Sequence, residues 1–317
     1  MTGQERRVLV TGGAGFIGSH VCERYRDAGW RVTALDDLSA GHRGNVPEGV
    51  ELVVEDIRSD AAAALVRGGG YEVVNHHAAQ IDVRVSVRRP RHDASINLDG
   101  LLNLLEASRD GGVRRFVFVS SGGVVYGEPP GLPVAEGAAK APVSGYGVSK
   151  LAGEYYLFAF RHLHGLESVA LRYSNVFGPR QDPHGEAGVV ALFSRRILEG
   201  APLTVFGDGE QTRDYVYVGD VADANLLLTD LELPLPGSID ETAFNVATGR
   251  ETTVNRLAAV LREAAGSRTP VEFAPERPGE IRRSCLDTAK LRGLGWAPRV
   301  SLEEGLRRTF DHIQKSS

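Results

Sequence analysis

Tyr146 and Lys150 stand four residues apart in the run YGVSK, with a glycine, a valine and a serine between them. Both side chains titrate, and on a helix that spacing puts them on one face, so they could act together in proton transfer. The same spacing arises often by chance on the side of any helix. The pair alone therefore leaves two readings open, catalytic groups or ordinary surface residues, and the rest of the chain has to decide.

A second constellation lies near the N-terminus. The stretch VLVTGGAGFIGSH places Gly12, Gly15 and Gly18 between an apolar strand and an amphipathic helix through VCERYRDAG. Glycines so spaced permit a tight turn and let the backbone approach a pyrophosphate, whose charge then sits against the helix N-terminus. The second strand ends at Asp36, eighteen residues after Gly18, near the ~20 expected of a ribose-binding acid. A carboxylate there accepts hydrogen bonds from the ribose 2′-hydroxyl and repels a 2′-phosphate. The reading is NAD rather than NADP, with nearby Arg43 as the residue that argues the other way.

The elements that must hold these residues follow from hydrophobic patterning. RRVLV, RVTAL, VELVV, YEVVN and RRFVFVSS are short Val-rich runs, each followed by a segment of helical character. Buried parallel strands alternating with helices make βαβ units, and the predicted class is doubly wound α/β. SVALRYSNVF predicts one further strand, after which GPRQDPHGEAG breaks the pattern. The 317 residues suffice for two lobes: a nucleotide-binding lobe over 1–177, to which the chain returns at about 216–250, and a smaller lobe from 178–215 and 251–317.

Composition excludes several function classes. Charged residues are 24% of the chain and the net charge is -5, which suits neither disorder nor a basic nucleic-acid surface. The two cysteines, Cys22 and Cys285, form neither a metal-type pair nor a disulfide framework, and a reducing, cytoplasmic setting is expected. No run reaches the ~18 uninterrupted apolar residues of a membrane span, and no membrane or nucleic-acid partner is expected. No metal is expected either. His76 and His77 are adjacent at a strand end and point to opposite faces, while His162 and His164 are two apart on a helix and share none.

With SSGGVVYG at 120–127 and YGVSK, the glycine loop and Asp36 make the chain similar to the extended short-chain dehydrogenase/reductases. AAQIDVRVSV, NVFGPRQDPHGEAGVV, FGDGEQTRDYVYVGDVADA and RPGEIRRSCLD resemble, more narrowly, UDP-glucose 4-epimerases of bacterial, especially actinobacterial, type. The resemblance spans essentially the whole chain. It implies a Rossmann sheet with a smaller C-terminal substrate-binding lobe, bound NAD, a UDP-sugar substrate and a homodimer. It makes Tyr146 and Lys150 the catalytic pair, because a phenol of pKa near 10 becomes a base at neutral pH only when cations stabilise its phenolate.

Other roles follow from the same resemblance. Gly12, Gly15, Phe16, Ile17, Gly18, Asp36, Asp37, Asp56, Ile57, Ala78, Ala79, Gln80, Asn97, Ser120 and Tyr173 would line the cofactor with the pair. Asn175, Val189, Phe206, Arg213, Arg277, Glu280 and Ser284 would hold the substrate, with Arg213 on the diphosphate and Phe206 on uracil. Sugar-nucleotide dehydratases and decarboxylases of this kind carry an acid two or three places before the tyrosine of the V-Y-G element; Val124 and Gly123 stand there. Elimination then lacks its proton shuttle, leaving oxidation to a 4-keto sugar and re-reduction on the other face. The usual hydroxyl four residues before that tyrosine is Gly122, so Ser121 is assigned the 4-oxygen. Gly145, where a proline is common, is a second departure, expected to loosen the loop. Epimerisation of UDP-N-acetylhexosamines or UDP-glucuronate, and a catalytically silent NAD-binding regulator, are the competing expectations.

Overall fold

The computed structural model describes residues 5–182, 188–276 and 281–316. Thirteen strands run through the described residues: β1 (Arg7–Thr11), β2 (Arg31–Asp36), β3 (Glu51–Val54), β4 (Val73–His76), β5 (Arg115–Ser121), β6 (Glu167–Tyr173), β7 (Asn175–Phe177), β8 (Leu203–Phe206), β9 (Thr212–Arg213), β10 (Tyr215–Tyr217), β11 (Ala243–Val246), β12 (Thr252–Thr253) and β13 (Val271–Ala274). Seven of them form one sheet in the order β11-β6-β5-β4-β1-β2-β3, with β1 to β5 paired in parallel. From β1 the chain builds outward through β2 and β3, then crosses to β4 and builds the other way. The reversal between β1 and β4 opens a crevice at the carboxyl ends of these strands, where doubly wound sheets bind ligands.

The chain divides into two compact units, one of residues 1–127, 139–172 and 222–244, the other of residues 128–138, 173–221 and 245–317. The helices are α1 (Phe16–Asp27), α2 (Asp60–Gly68), α3 (Val83–Arg88), α4 (Pro90–Ala94), α5 (Gly100–Asp110), α6 (Gly145–His164), α7 (Val189–Leu198), α8 (Val218–Thr229), α9 (Val254–Ala264), α10 (Ala289–Arg292) and α11 (Leu302–Ser316). In the first unit Leu9, Leu35, Val74, Phe116 and Phe118 meet Val66, Leu101, Leu104, Leu105 and Leu157 of α2, α5 and α6 in one buried cluster. Strands buried on both faces read as near-continuous apolar runs, which is what β1 and β5 show, while β4 is buried throughout but ends in the polar Asn75 and His76. Gly153 brings α6 close to β5: a methyl there would lie 2.6 Å from Phe118 Cζ.

In the second unit the strands are short and paired in twos, β7 with β10, β8 with β13 and β9 with β12. SVALRYSNVF is thus two strands. At Ser174 the chain changes partner: Ser174 N donates to Val246 O, whereas Asn175 N donates to Asp214 O. An apolar run records burial but not which neighbour the strand pairs with, so the change was invisible in the pattern.

Candidate active site

Helix α6 starts at Ser144, whose hydroxyl accepts a hydrogen bond from Gly147 N at 3.1 Å, a regular N-cap. This cap fixes the first turn and sets Tyr146 and Lys150 on the face that packs toward β5. Gly145 has a steric reason: a methyl there would lie 2.8 Å from Ser86 O, so the residue allows α6 to sit tightly on α3 rather than loosening it. Lys150 is 3% exposed and Tyr146 half-buried. The Lys150 Nζ lies 5.0 Å from the centre of the Phe118 ring and 5.7 Å from that of Tyr146.

The electrostatics differ from the expectation that Lys150 stabilises a phenolate. Burial pushes the Tyr146 phenol above its ordinary value, and the Asp93 carboxylate pushes it further. Burial also pushes Lys150 down to about 8, with Asp93 opposing the fall. The reason is geometric: the ammonium sits beside the Tyr146 ring in a poorly solvated site, where desolvation outweighs its attraction for a phenolate.

Asp93, which the sequence reading passed over, is the anion of this site. It is 1% exposed. Its Oδ1 accepts from Gln80 Nε2 at 2.9 Å and Asn97 Nδ2 at 3.0 Å, and its Oδ2 from Ser149 Oγ at 2.6 Å. Asn97 lies in a π-helical turn, Ser95–Asp99, and also bonds both backbone groups of Gln80. Behind the pair, Glu154 accepts from Arg172 Nη2 at 2.6 Å and from Ser120 Oγ at 2.5 Å. Ser120 therefore turns inward. Ser121, next along the strand, points to the other face by the alternation of β residues.

At the crevice the glycine loop leaves no room for side chains. A methyl at Gly18 would lie 2.1 Å from Gly12 O, and one at Gly12 2.7 Å from Ala78 N, at a φ of +66° that glycine tolerates. Asp36, 7% exposed, accepts from Ala14 N at 3.0 Å and Leu38 N at 2.9 Å. Each carboxylate oxygen keeps acceptor capacity beyond these bonds. A close backbone cradle at a helix N-terminus and an acid one strand away fit a dinucleotide, pyrophosphate at the first and ribose at the second. Among the other expected cofactor residues, Asp37 holds Ser39 N at 2.9 Å, Asp56 pairs with Arg58, and Ile57 lies in the core cluster. Phe16 and Ile17 open α1, while Ala78, Ala79 and Gln80 follow β4.

The two histidine pairs have structural surroundings. His76 shares a 2.7 Å hydrogen bond with Thr11 Oγ1 and stacks on Phe118, while His77 bonds Asn225. His162 Nδ1 lies 2.9 Å from Phe158 O, and His164 packs on Phe160.

In the second unit Asp214 is the joint the sequence did not reveal. Fully buried, it accepts from Thr248 N at 2.8 Å, Gly249 N at 2.9 Å and Leu286 N at 3.3 Å. Around it converge three expected substrate residues: Asn175, whose N donates to Asp214 O at 2.9 Å; Arg213, the preceding residue; and Ser284, whose N donates to Thr212 O at 3.2 Å. Phe206 ends β8 and lines a small pocket with Gly207, Gln211, Glu276, Ile281 and Arg282. Val189 opens α7, and Tyr173 ends β6 with 4% exposure. Arg277 and Glu280 lie outside the described residues.

Known proteins resemble the chain over nearly its full length. A UDP-glucose 4-epimerase of Mycolicibacterium smegmatis is 44% identical over 317 residues, covering 98% of this chain and 99% of that protein. The crystal structure of UDP-glucose 4-epimerase with UDP-glucose from Thermotoga maritima is 44% identical, with a TM-score of 0.93, covering 98% and 99% of the two chains. That of the Thermus thermophilus UDP-glucose 4-epimerase in complex with NAD is 46% identical, with a TM-score of 0.91 and coverage of 98% and 100%. Residues 8–246, from the first strand to the last strand of the large sheet, match one family description throughout, and the chain belongs to the NAD dependent epimerase/dehydratase family.

Proposed function

We propose that the protein interconverts UDP-glucose and UDP-galactose by 4-epimerisation with NAD. The observation that carries this reading is the buried Lys150 beside Tyr146, on a helix packed against the strand that ends at Ser121. The turn after that strand folds back through Val124 N and Val125 N onto Ser121 O, and it offers Gly123 and Val124 where an eliminating enzyme needs an acid. Simple oxidation and re-reduction at one carbon is what such a site can support.

NAD, when bound, accepts the C4 hydride and returns it, and its positive nicotinamide adds the charge that a Tyr146 phenolate lacks in this site. Tyr146 takes the proton of the sugar 4-hydroxyl at its Oη and later gives it back. Lys150 keeps a positive charge beside the phenol and holds the nicotinamide ribose. Ser121 donates to the 4-oxygen. Asp36 accepts from the adenosine ribose, and Gly12, Gly15 and Gly18 cradle the pyrophosphate. For the 4-keto sugar to present its other face, the diphosphate must stay fixed while the hexose turns; Arg213 supplies charge-assisted bonds for this, with Asn175. Phe206 packs on uracil, Ser284 stands beside the hexose, and Arg277 and Glu280 hold phosphate and uridine ribose. The enzyme is read as a cytoplasmic homodimer.

The test is product analysis by NMR after incubation with UDP-glucose, UDP-galactose, UDP-N-acetylglucosamine and UDP-glucuronate, without added NAD. Conversion of the first two, with dinucleotide released on denaturing the pure protein, is expected. Turnover of UDP-glucuronate alone, or activity only with added NADP, would overturn the reading.

A further inference from the structure

Asp93 sits in RRPRHDAS, a run rich in exposed cations, yet its side chain is enclosed. Its three hydrogen-bond partners come from separate places: Gln80 in the segment after β4, Asn97 in the π-helical turn, and Ser149 on α6. Ser149 precedes Lys150 in the chain. A buried carboxylate with three donors has its position over-determined, and its charge is poorly screened. Among the described residues, the charged and titratable groups around Tyr146 and Lys150 are few. From β4 and the residue after it come His76 and His77, both held neutral by burial. From α6, β6 and the turn Ile239–Glu241 come Glu154, Arg172 and Asp240, with Lys140 paired to Asp240, so that two cations and two anions neutralise one another. From α4 comes Asp93, whose charge is balanced by no cation in its hydrogen bonds.

We infer that Asp93 is the positioning residue of the Tyr146 and Lys150 pair: its carboxylate locks three segments onto α6 and serves as the fixed counter-charge of the Lys150 ammonium. This inference rests on the proposed roles of the pair for its effect on turnover, but not for its effect on Lys150 itself. An anion favours the ammonium over the amine and the phenol over the phenolate, so it moves both titrations upward. Without it both move down.

The test exploits a chain with four lysines, in which the Lys150 ε-carbon signal can be followed by NMR through a pH titration of the whole protein as purified. Asp93→Asn keeps the carboxylate shape and removes the charge; the Lys150 midpoint is expected to fall by about one pH unit. Both limbs of the pH–rate profile are expected to move to lower pH with it. Ser149→Ala keeps the charge and cuts one joint. It is expected to hold the Lys150 midpoint to within a few tenths of a unit and to lower kcat without moving the limbs. If Asp93→Asn does not fold, Asp93→Ser carries the same expectation. An unmoved Lys150 midpoint in the uncharged variant, or an equal fall in Ser149→Ala, would overturn the inference. A moved midpoint with wild-type turnover in Tyr146→Phe would leave the counter-charge standing and remove the proposed role of the pair.

Discussion

Two buried cations on neighbouring elements, Lys150 on α6 and Arg172 on β6, are treated in opposite ways. Arg172 is fully buried and surrounded by acceptors: both Glu154 oxygens, the Tyr126 hydroxyl at 2.9 Å and Asp240 Oδ1 at 2.9 Å. Lys150 is almost as buried, yet among the described residues its ammonium makes no hydrogen bond or ion pair and faces the rings of Phe118 and Tyr146. The acceptors outweigh burial at Arg172 and raise its pKa; burial wins at Lys150 and lowers it to about 8. One turn of α6 separates Lys150 from Glu154, the partner of Arg172. The same helix thus carries a satisfied pair that fixes its place and an unsatisfied charge whose instability is available to chemistry.

The largest effect is expected at the reactive end. Tyr146→Phe removes the phenolic oxygen and leaves the ring beside Lys150, and we expect kcat to fall by about 10²–10⁴-fold, the usual worth of a positioned acid–base group. UDP-sugar affinity, measured by calorimetry, should stay within a factor of a few. Wild-type turnover would show that the unsatisfied charge serves no proton transfer.

At the satisfied end the expected loss is in stability. Arg172→Met strands the Glu154 carboxylate, and removing one partner of a buried pair costs about 3–5 kcal/mol. Urea unfolding should show it. The double variant Arg172→Met, Glu154→Leu should recover most of that loss, because an apolar pair of similar volume carries no desolvation debt. A double variant as unstable as the single one would mean that Tyr126, Ser120 and Asp240 depend on the charges as much as the charges depend on each other.

What the sequence disclosed follows the same division. The glycine loop, Asp36 and YGVSK were legible because their chemistry is local: a turn, a strand end and one helical spacing carry it. Strands β1, β2 and β5 were legible because burial on both faces writes an apolar run, and β3, at the sheet edge with Leu52 and Val53 half-buried, was legible from its valines alone. Asp93 was not, since an Asp amid RRPRH reads as solvated until Gln80, Asn97 and Ser149 close around it from three segments. Glu154 and Arg172 lie eighteen residues apart in the chain; the one signal was an arginine inside the apolar strand SVALRY, which cannot be buried there alone. Ser120 and Ser121 could be told to face opposite ways, but not that Glu154 waits on one side. Asp214 was hidden likewise, its donors lying more than thirty residues further along the chain.

The smallest effect is expected in how stability at Lys150 depends on pH, and it needs no assay of turnover. Lys150 titrates near 10.5 when exposed and at about 8 in the folded protein, so folding disfavours its proton. Below pH 8 the ammonium is present in both states and the folded state bears the full penalty of enclosing it; as pH rises from 8 to 10.5 the folded protein holds the neutral amine and the penalty fades. Lys150→Met should therefore stabilise the protein at pH 7 by at most about 3 kcal/mol, less whatever contact the ammonium makes with the two rings. The gain should shrink steadily above pH 8, because the residue's contribution to stability rises with pH wherever the unfolded chain binds the extra proton. Arg172→Met offers the contrast, with a loss that is flat across the same range since neither guanidinium state changes. Paired urea titrations at pH 7 and pH 9.5 would measure both. A loss of stability in Lys150→Met at pH 7, or a gain independent of pH, would mean that Lys150 is as well satisfied as Arg172, and that its reactivity has to come from something other than burial.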